Sequence, residues 1–338
     1  MVVLGIESTC DETSVAIVRN GNEVLSNVVT SQIKDHLPWN GVVPEIASRL
    51  HLKKIIHLTE EACKEAHCSI NDIDLIAAAN RPGLIGGLIV GSATGKAFAW
   101  AIDKPFIGIN HMEAHLYSPH ITNEIPFPYI GLLVSGGHTM IVLAQSHTTF
   151  SVIGTTIDDA VGEAFDKLAK HYAMGYPGGP SVEKLALTGD ESTFDFPTSN
   201  LHKSDRKYDV SYSGIKTAAI NFLEKYLKKE TYTLNDIAAS FQKRAFSVLK
   251  KKCISACIDY NINRIVVAGG VSANFYLRHL FSDIPDITTY FPDIKYATDN
   301  GAMIAGYAYH TFKENGPTPL TSGVSARVSG FKISLEKK

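Results

Sequence analysis

The order of hydrophobic and polar positions predicts an α/β protein in which short strands alternate with helices. The apolar run Val2–Ile6 predicts a first strand, and Val15–Val18 predicts its antiparallel partner. A polar turn separates the two runs, and the dipeptide Asn20-Gly21 marks the next turn. The chain therefore opens with a β-hairpin whose tip carries acidic and hydroxyl side chains.

The same pattern returns in the middle of the chain. Tyr129–Val134 predicts a strand, Ser135–Thr139 a tight turn, and Met140–Leu143 the returning strand. Two such hairpins, each followed by strand and helix units, indicate a duplicated α/β domain. A cleft between two lobes of this kind would receive both hairpin tips.

Periodicity and turn signals define the remaining elements. Further strands are predicted at Leu75–Ala79, Phe106–Ile109 and Arg264–Ala268. Helices are predicted at Pro44–Cys63, in a small-residue segment that ends at Trp100, at Asp158–His171, Ser181–Leu187 and Leu234–Asp259, after Asn274, and at Gly301–His310. Residues from Pro317 on are expected to form a loosely packed tail.

Composition narrows the class of protein. The 338 residues are 45% hydrophobic and 20% charged, which is typical of a globular protein, and the net charge of −2 gives no overall basic field for nucleic acid. The five cysteines form no Cys-x-x-Cys; Cys63/Cys68 and Cys253/Cys257 fall in helical patterns and predict buried thiols, not a disulfide framework. The N-terminus lacks a signal-peptide pattern, and Leu84–Ala93 is too short to span a membrane. We expect a cytoplasmic protein.

Two histidines at helical spacing form a candidate metal site. His111 and His115 lie at i and i+4, so a helix would present both imidazoles on one face. Glu113 is not adjacent to the first histidine, which argues against a metallopeptidase. Asp299 is a candidate third ligand. The alternatives are two half-buried imidazoles and an aspartate that caps a helix.

Glycine-rich turns form candidate anion sites. Gly136 and Gly137 would let a ligand approach the backbone, although Gly-Gly is also an ordinary hairpin turn. Gly269–Asn274 follows a buried strand and opens a helix, where α/β proteins place ligands. There Asn274 could read a base or ribose edge, or Ser272 could simply cap the helix.

Carboxylates occur in two further places. Asp159, Glu163 and Asp166 share one predicted helix face, which is either a solvated surface or the wall of a ligand site next to the Pro-Gly-Gly-Pro turn that ends at Pro180. Asp11-Glu12 lies at the tip of the first hairpin and could order a water molecule or remove a proton, or could be a solvated turn. The chain has no P-loop.

A set of these segments occurs in a fixed order over residues 2 to about 325. They are Gly5–Glu7, Cys10–Thr13, Val42–His51, Pro82–Leu84, His111–His115, Leu133–Thr139, Asp158–Lys167, Tyr176–Pro180, Ser213–Thr217, Gly269–Asn274 and Thr298–Met303. Each is unspecific alone, but together they closely resemble the bacterial TsaD family, also called YgjD or Gcp, of tRNA N6-adenosine threonylcarbamoyltransferases.

The resemblance implies an actin-like (ASKHA, ribonuclease H-like) fold with a nucleotide cleft between two lobes. The expected lobes are residues 1–112 with about 299–325, and residues 113–298, followed by a tail at 326–338. It also implies transfer of threonylcarbamoyl from threonylcarbamoyl-adenylate to N6 of adenosine 37, in tRNAs that read ANN codons, with release of AMP.

The resemblance further assigns residues and partners. His111, His115 and Asp299 would hold one metal ion per subunit, usually iron and sometimes zinc. The donor contacts would be Val134, Ser135, Gly136, Gly137, His138, Asp166, Gly179, Glu183 and Asn274. Asp11 and Glu12 are our candidates for proton transfer. The implied protein partners are TsaB, a shorter inactive paralogue, and TsaE, a P-loop ATPase.

This chain departs from the family pattern in a few places. Glu183 stands where many relatives have Asp, so its longer arm could change a ribose contact. Arg81 replaces the usual Gly before Pro82-Gly83 and puts a bulky charge in that loop. Ser8-Thr9 is the reverse of the commoner order.

Other functions are also open. A sugar or acetate kinase of the same fold would use ATP and Mg²⁺ and need no imidazole ligands. A nucleotide-dependent scaffold would keep its function without the metal ligands.

Overall fold

The computed structural model describes residues 1–197, 206–226 and 232–328. Its strands are β1 Val2–Glu7, β2 Glu12–Arg19, β3 Glu23–Ser31, β4 Leu75–Arg81, β5 Phe106–Asn110, β6 Tyr129–Val134, β7 Thr139–Ala144, β8 Phe150–Thr155, β9 Arg264–Ala268 and β10 Thr288–Tyr290. Its helices are α1 Ile33–His36, α2 Pro44–Glu65, α3 Ile85–Ala101, α4 His111–Tyr117, α5 Val161–His171, α6 Gly178–Ala186, α7 Ser213–Tyr226, α8 Leu234–Tyr260, α9 Phe275–Ser282 and α10 Gly301–Asn315.

Contacts divide the chain into two units. The first comprises Met1–Ile125, Gln145–Thr149 and the segment from Pro292 onwards, and the second comprises Pro126–Ala144 and Phe150–Phe291. Each unit contains one five-stranded sheet with helices packed on it.

The two sheets have the same topology. In the first unit the strand order is β3-β2-β1-β4-β5, and in the second it is β10-β9-β6-β7-β8, the same order written from the opposite edge. In each sheet the first three strands are antiparallel and the last two run parallel to the first. The predicted duplicated α/β architecture is therefore confirmed.

Three edge strands were absent from the sequence prediction. β3, β8 and β10 consist mostly of partly or fully exposed positions and lack the continuous apolar run of the central strands. Central strands such as β4 are buried on both faces, so their sequences are apolar throughout and easy to detect.

Close packing of α10 on the first sheet depends on small residues. A Cβ added to Gly5 would lie 2.5 Å from the backbone nitrogen of Ala305, and one added to Gly301 would lie 2.6 Å from the nitrogen of Ala16. The Ser14 hydroxyl also accepts a hydrogen bond from Gly301 N at 2.8 Å. Backbone contact of this kind fixes the start of α10 directly above the ends of β1 and β2.

The predicted loose tail is wrong for the described part of the segment after Pro317. Thr318 N donates to Phe106 O, Ser325 N to Asn80 O, and Gly83 N to Ala326 O, at 2.8, 2.9 and 3.3 Å. These backbone bonds tie the segment to β4, β5 and the loop after β4. Backbone hydrogen bonds of this type leave no pattern of apolar residues in the sequence, so the periodicity could not predict them. Residues 329–338 of the predicted tail lie outside the described residues.

The helix predicted at Asp158–His171 begins three residues later, at Val161. The Asp158 carboxylate instead accepts the backbone N–H groups of Tyr212 and Ser213 at 2.8 and 3.3 Å. Asp159 forms ion pairs with Lys167 and Lys216. The predicted acidic helix face is therefore wrong for Asp159, because local hydrogen bonding of aspartates competes with helix formation.

The rigid turn predicted at Pro177–Pro180 is also corrected. Pro177 is the N-cap of α6, and Gly178 and Gly179 form the first turn of that helix.

Over the described ranges, no helix has both the length and the apolar character needed to cross a bilayer.

A cluster of imidazoles lies within the first unit. The ring centroids of His147 and His310 are 3.9 Å apart, those of His120 and His147 are 4.7 Å apart, and the Tyr117 hydroxyl is 3.2 Å from His310 Nε2. Burial, assisted by the two other histidines, lowers the pKa of His120 to about 3. Burial, His147 and Lys313 lower the pKa of His310 to about 4. These imidazoles are neutral in the folded protein above these values.

This cluster predicts loss of stability in mild acid. Between pH 6.5, where free histidine titrates, and about pH 4, the unfolded chain binds protons that the folded chain does not. The free energy of unfolding should therefore fall with pH, by up to about 1.4 kcal/mol per pH unit for each neutral imidazole. Urea titrations of the wild type from pH 7 to pH 4 measure this slope.

His310→Gln should reduce that slope. The matched control is His57→Gln on the exposed face of α2, which lies outside the cluster, and it should leave the slope unchanged. Equal slopes for wild type and His310→Gln would contradict the assignment.

Candidate metal centre and donor-binding rim

The two predicted histidine ligands and the distant aspartate meet in the first unit. His115 Nε2 lies 2.9 Å from Asp299 Oδ1, and His111 Nε2 lies 3.5 Å from the same oxygen. One ligand atom from each of the three residues lies within 4.8 Å of the others. His115 is 1% exposed and the other two side chains are below 20%. The sequence prediction that these residues come together is confirmed.

Helix capping explains the position of the two histidines. Asn110, the last residue of β5, accepts a hydrogen bond from Met112 N at 3.0 Å and so caps α4. Because α4 begins directly at His111, His115 follows one turn later on the same face. The histidines are therefore fixed at the carboxyl end of a buried parallel strand, a common location for ligand sites.

Asp299 is not the helix cap that its sequence context also allowed. Asn300 caps α10 by accepting a hydrogen bond from Met303 N at 2.9 Å. The Asn300 amide also donates to Thr298 O at 2.8 Å. Since the neighbouring asparagine meets the needs of the helix, the Asp299 carboxylate can point at the histidines.

Glu7 supports His111 from behind, a role that sequence reasoning missed. Its Oε2 lies 2.9 Å from His111 Nδ1, and its Oε1 accepts a hydrogen bond from Thr9 N at 2.7 Å. Glu7 is completely buried at the end of β1. A carboxylate can only accept, so in the neutral imidazole it selects the tautomer that carries its proton on Nδ1 and leaves Nε2 unprotonated. The motif Gly5–Glu7 was the available signal.

Several carboxyl groups lie close to the three candidate metal ligands. Burial raises the pKa of Glu12 to about 9, and the charges of Asp299, Asp11 and Glu7 add to the rise. Burial opposes protonation of His111, but Glu7 and Asp299 outweigh it and raise its pKa to about 9. The carboxylates therefore favour positive charge at His111.

A buried histidine holds the segment Cys10–Thr13, which contains Asp11 and Glu12. His51 Nε2 lies 3.1 Å from Cys10 O, and its Nδ1 lies 2.8 Å from the Thr13 hydroxyl. Because a carbonyl only accepts, Nε2 donates to Cys10 and Nδ1 accepts from Thr13. Burial lowers the pKa of His51, which is consistent with this neutral form. α2 therefore positions the acidic segment next to Asp299.

The donor set fits a metal ion. Two imidazole nitrogens and one carboxylate oxygen suit iron or zinc, whereas Mg²⁺ prefers oxygen ligands alone. The hydrogen bond that His111 Nδ1 donates to Glu7 is the support that metal-binding histidines normally have.

The second unit contains the predicted donor contacts, beginning with the turn between β6 and β7. Ser135 N donates to His138 O at 2.9 Å, and His138 N donates to the Ser135 hydroxyl at 3.0 Å. Gly136 and Gly137 are exposed at its tip. A Cβ on Gly162 would lie 2.6 Å from Ser135 O, so the start of α5 packs directly against this turn.

The remaining contacts continue from this turn around the same unit. Asp166 Oδ1 accepts a hydrogen bond from Gly178 N at 2.9 Å and so joins α5 to α6. Glu183 Oε1 accepts from Phe275 N at 2.7 Å and joins α6 to α9. A Cβ on Gly269 would lie 2.4 Å from Val134 O, which brings the turn after β9 back to β6. We call this set of connected residues, from Val134 through Asp166 and Glu183 to Asn274, the unit 2 rim.

Asn274, and not Ser272, caps α9. Its Oδ1 accepts from Leu277 N at 2.9 Å and its Nδ2 donates to Gln242 Oε1 at 3.0 Å. An amide retains a second N–H and a second lone pair for a ligand. Burial raises the pKa of Glu183, while the amides of Phe275 and Tyr276 oppose that rise. The longer arm of Glu183 is thus fixed at the start of α9.

At several positions of this rim, nothing within the chain requires the residue to be glycine. A Cβ on Gly136, Gly137, Gly179 or Gly270 would meet no atom within 4 Å, and none of the four has a positive φ. Neither packing within the chain nor backbone conformation demands glycine there. Glycine at these positions leaves the backbone of the rim open to close approach.

Solved structures support the fold. The chain aligns with full-length HypF at a TM-score of 0.62, with 15% identity, over 94% of this chain and 56% of that one. It aligns with component A of (R)-2-hydroxyglutaryl-CoA dehydratase from Acidaminococcus fermentans at 0.54, with 14% identity, over 92% and 98%. These likenesses concern the fold alone, which is the predicted actin-like type.

Sequence relatives are much closer. The chain is 50% identical over 332 residues to a tRNA N6-adenosine threonylcarbamoyltransferase of Treponema denticola, covering 98% of both chains. It is 47% identical over 339 residues to the enzyme of the same name from Borrelia garinii subsp. bavariensis, covering 100% of both. The family model described as TsaD, tRNA N6-adenosine threonylcarbamoyltransferase, matches residues 23–306. The chain therefore belongs to the TsaD family of tRNA N6-adenosine threonylcarbamoyltransferases.

Proposed function

We propose that this enzyme transfers a threonylcarbamoyl group from threonylcarbamoyl-adenylate to N6 of adenosine 37 in tRNAs that read ANN codons, with release of AMP, and that it requires a metal ion. The observation that carries the proposal is the convergence of His111, His115 and Asp299 in a member of this family. A kinase of the same fold would have no use for the two imidazoles.

His111, His115 and Asp299 would hold the ion. Two histidines and one carboxylate are the ligand set of many non-haem iron(II) sites, so iron is the proposed metal and zinc the alternative. When bound, the metal would supply positive charge that orients the donor and polarises its oxygens. Glu7 would keep His111 in the ligating tautomer.

The unit 2 rim would hold the donor. The exposed turn at Gly136 and Gly137 would lie against its phosphate, and Asp166, Gly179, Glu183 and Asn274 would orient its nucleoside. Positioning matters here because an aromatic amine is a weak nucleophile, and orientation can supply much of the rate.

The chemical step is an acyl transfer. The adenosine N6 forms a bond to the carbamoyl carbon, the bond from that carbon to the phosphate oxygen of AMP breaks, and N6 loses one proton. Asp11 and Glu12, on the segment held by His51, are the proposed groups for that proton. As further parts of the proposal, the enzyme acts in the cytoplasm with a TsaB-type paralogue and a TsaE-type P-loop ATPase.

The direct test is nucleoside analysis of tRNA from cells depleted of this protein. Threonylcarbamoyl-adenosine should disappear and should return on expression of the wild type but not of His115→Ala. Unchanged threonylcarbamoyl-adenosine after depletion would refute the proposed reaction. Full rescue by His115→Ala would leave the reaction but remove the metal requirement.

A second prediction concerns Glu7. Glu7→Gln removes the charge that holds the Nδ1 proton of His111, so affinity for the metal should fall about 10–100-fold. Competition with a chelator of known affinity measures this. The matched control is Glu113→Gln, a mostly buried carboxyl on α4 that pairs with Tyr307 and Asn110, and its affinity should match the wild type. An equal loss in both variants would show that Glu7 has no special role.

A third prediction separates ligand contact from folding at the unit 2 rim. Gly136→Ala and Gly179→Ala place a methyl group in open space, so the melting temperature should not change. The KM for threonylcarbamoyl-adenylate should rise about tenfold or more, because the methyl group occupies the donor's place. Gly323→Ala, also in open space, is the control and should change neither quantity. An unchanged KM in both rim variants would remove these glycines from the donor site.

A further inference from the structure

The end of α2 adopts a specific hydrogen-bonded turn. Cys68 N donates to Cys63 O at 3.1 Å, His67 N donates to Lys64 O at 3.2 Å, and His67 is left-handed with φ 51°. These are the two bonds and the left-handed residue of a Schellman motif. In this motif the side chains at the positions of Cys63 and Cys68 face each other.

The two cysteines are therefore close enough to form a disulfide bond with each other. A backbone hydrogen bond between two residues holds their Cα atoms roughly 5–6 Å apart, inside the range of about 4.4–6.8 Å that disulfides require. Both side chains are partly exposed and pack on the same apolar cluster. The sequence prediction of two buried helical thiols is wrong here, because Cys68 lies beyond the helix end.

Electrostatics distinguishes the two sulfurs. Burial, the Cys68 sulfur and Asp72 raise the pKa of Cys63 to about 11. Burial and Asp72 also raise the pKa of Cys68, but a hydrogen bond from the Cys63 thiol and the charge of Arg19 oppose that rise. Cys63 thus donates its proton toward Cys68, which makes Cys68 the better nucleophile of the pair.

We propose that Cys63 and Cys68 form a redox-active dithiol that closes to an intramolecular disulfide by exchange with a low-molecular-weight disulfide. The Cys68 thiolate attacks the small disulfide, forms a mixed disulfide and releases one thiol. The Cys63 thiolate then attacks the Cys68 sulfur and releases the second thiol. The protein loses two protons and two electrons, and the small disulfide gains both.

This site rests on the end of α2 alone and is independent of the proposed acyl transfer. Its geometry favours closure, whereas the reluctance of both thiols to ionise makes closure slow at neutral pH. The rate should therefore rise about tenfold from pH 7 to pH 8, as the thiolate fraction rises.

The test uses the full-length protein in glutathione buffers of increasing oxidised fraction. Titration of thiols in denaturant should fall from five to three, and the intact mass should fall by about 2 Da as two hydrogens leave. Trypsin cleaves after Lys64, between the two cysteines, so the disulfide should join the peptides Ile55–Lys64 and Glu65–Lys96 in a non-reducing digest.

Single variants provide the controls. Cys63→Ser and Cys68→Ser should abolish the linked peptide, whereas Cys10→Ser should still lose two of its four remaining thiols. Five thiols in the oxidised wild type would overturn the proposal. So would a stable glutathione adduct without the linked peptide, or a disulfide between two copies of the chain.

Discussion

The convergence of two imidazoles on one carboxylate oxygen is the interaction on which the proposed function of this protein depends. Asp299 is 184 residues from His115 in sequence, yet Oδ1 and Nε2 are 2.9 Å apart. What brings them together is backbone packing: α10 lies so close to β1 that Gly5 and Gly301 have no room for a side chain. A methyl group at either glycine would force α10 and the sheet apart.

The packing of α10 on β1 also gathers several carboxylates around His111 and His115. Glu7 ends β1, Asp11 lies on the loop that follows, Glu12 begins β2, and Asp299 shortly precedes α10. Burial, together with these neighbouring charges, raises the pKa of Glu12 to about 9. Placing these carboxylates close together lowers the free energy of unfolding, and a bound metal ion would offset that loss.

Sequence reasoning found the elements with strong local patterns. The spacing of His111 and His115 predicted their shared face, and repeated hairpins predicted two related sheets, because both signals are local. It misjudged places where distant hydrogen bonds decide the outcome. Asp158 lies outside α5 and accepts a hydrogen bond from the backbone N–H of Tyr212. The segment after Pro317 is held by backbone hydrogen bonds to β4 and β5. Glu7 was found only as part of a motif, because its role depends on a partner 104 residues away.

The most direct test of the metal centre is anomalous diffraction from crystals of the iron-loaded protein, at the iron absorption edge. We predict one strong peak per subunit, within bonding distance of the Nε2 atoms of His111 and His115 and of a carboxylate oxygen of Asp299. A peak bound elsewhere, or an active protein with no peak between these three residues, would contradict the account.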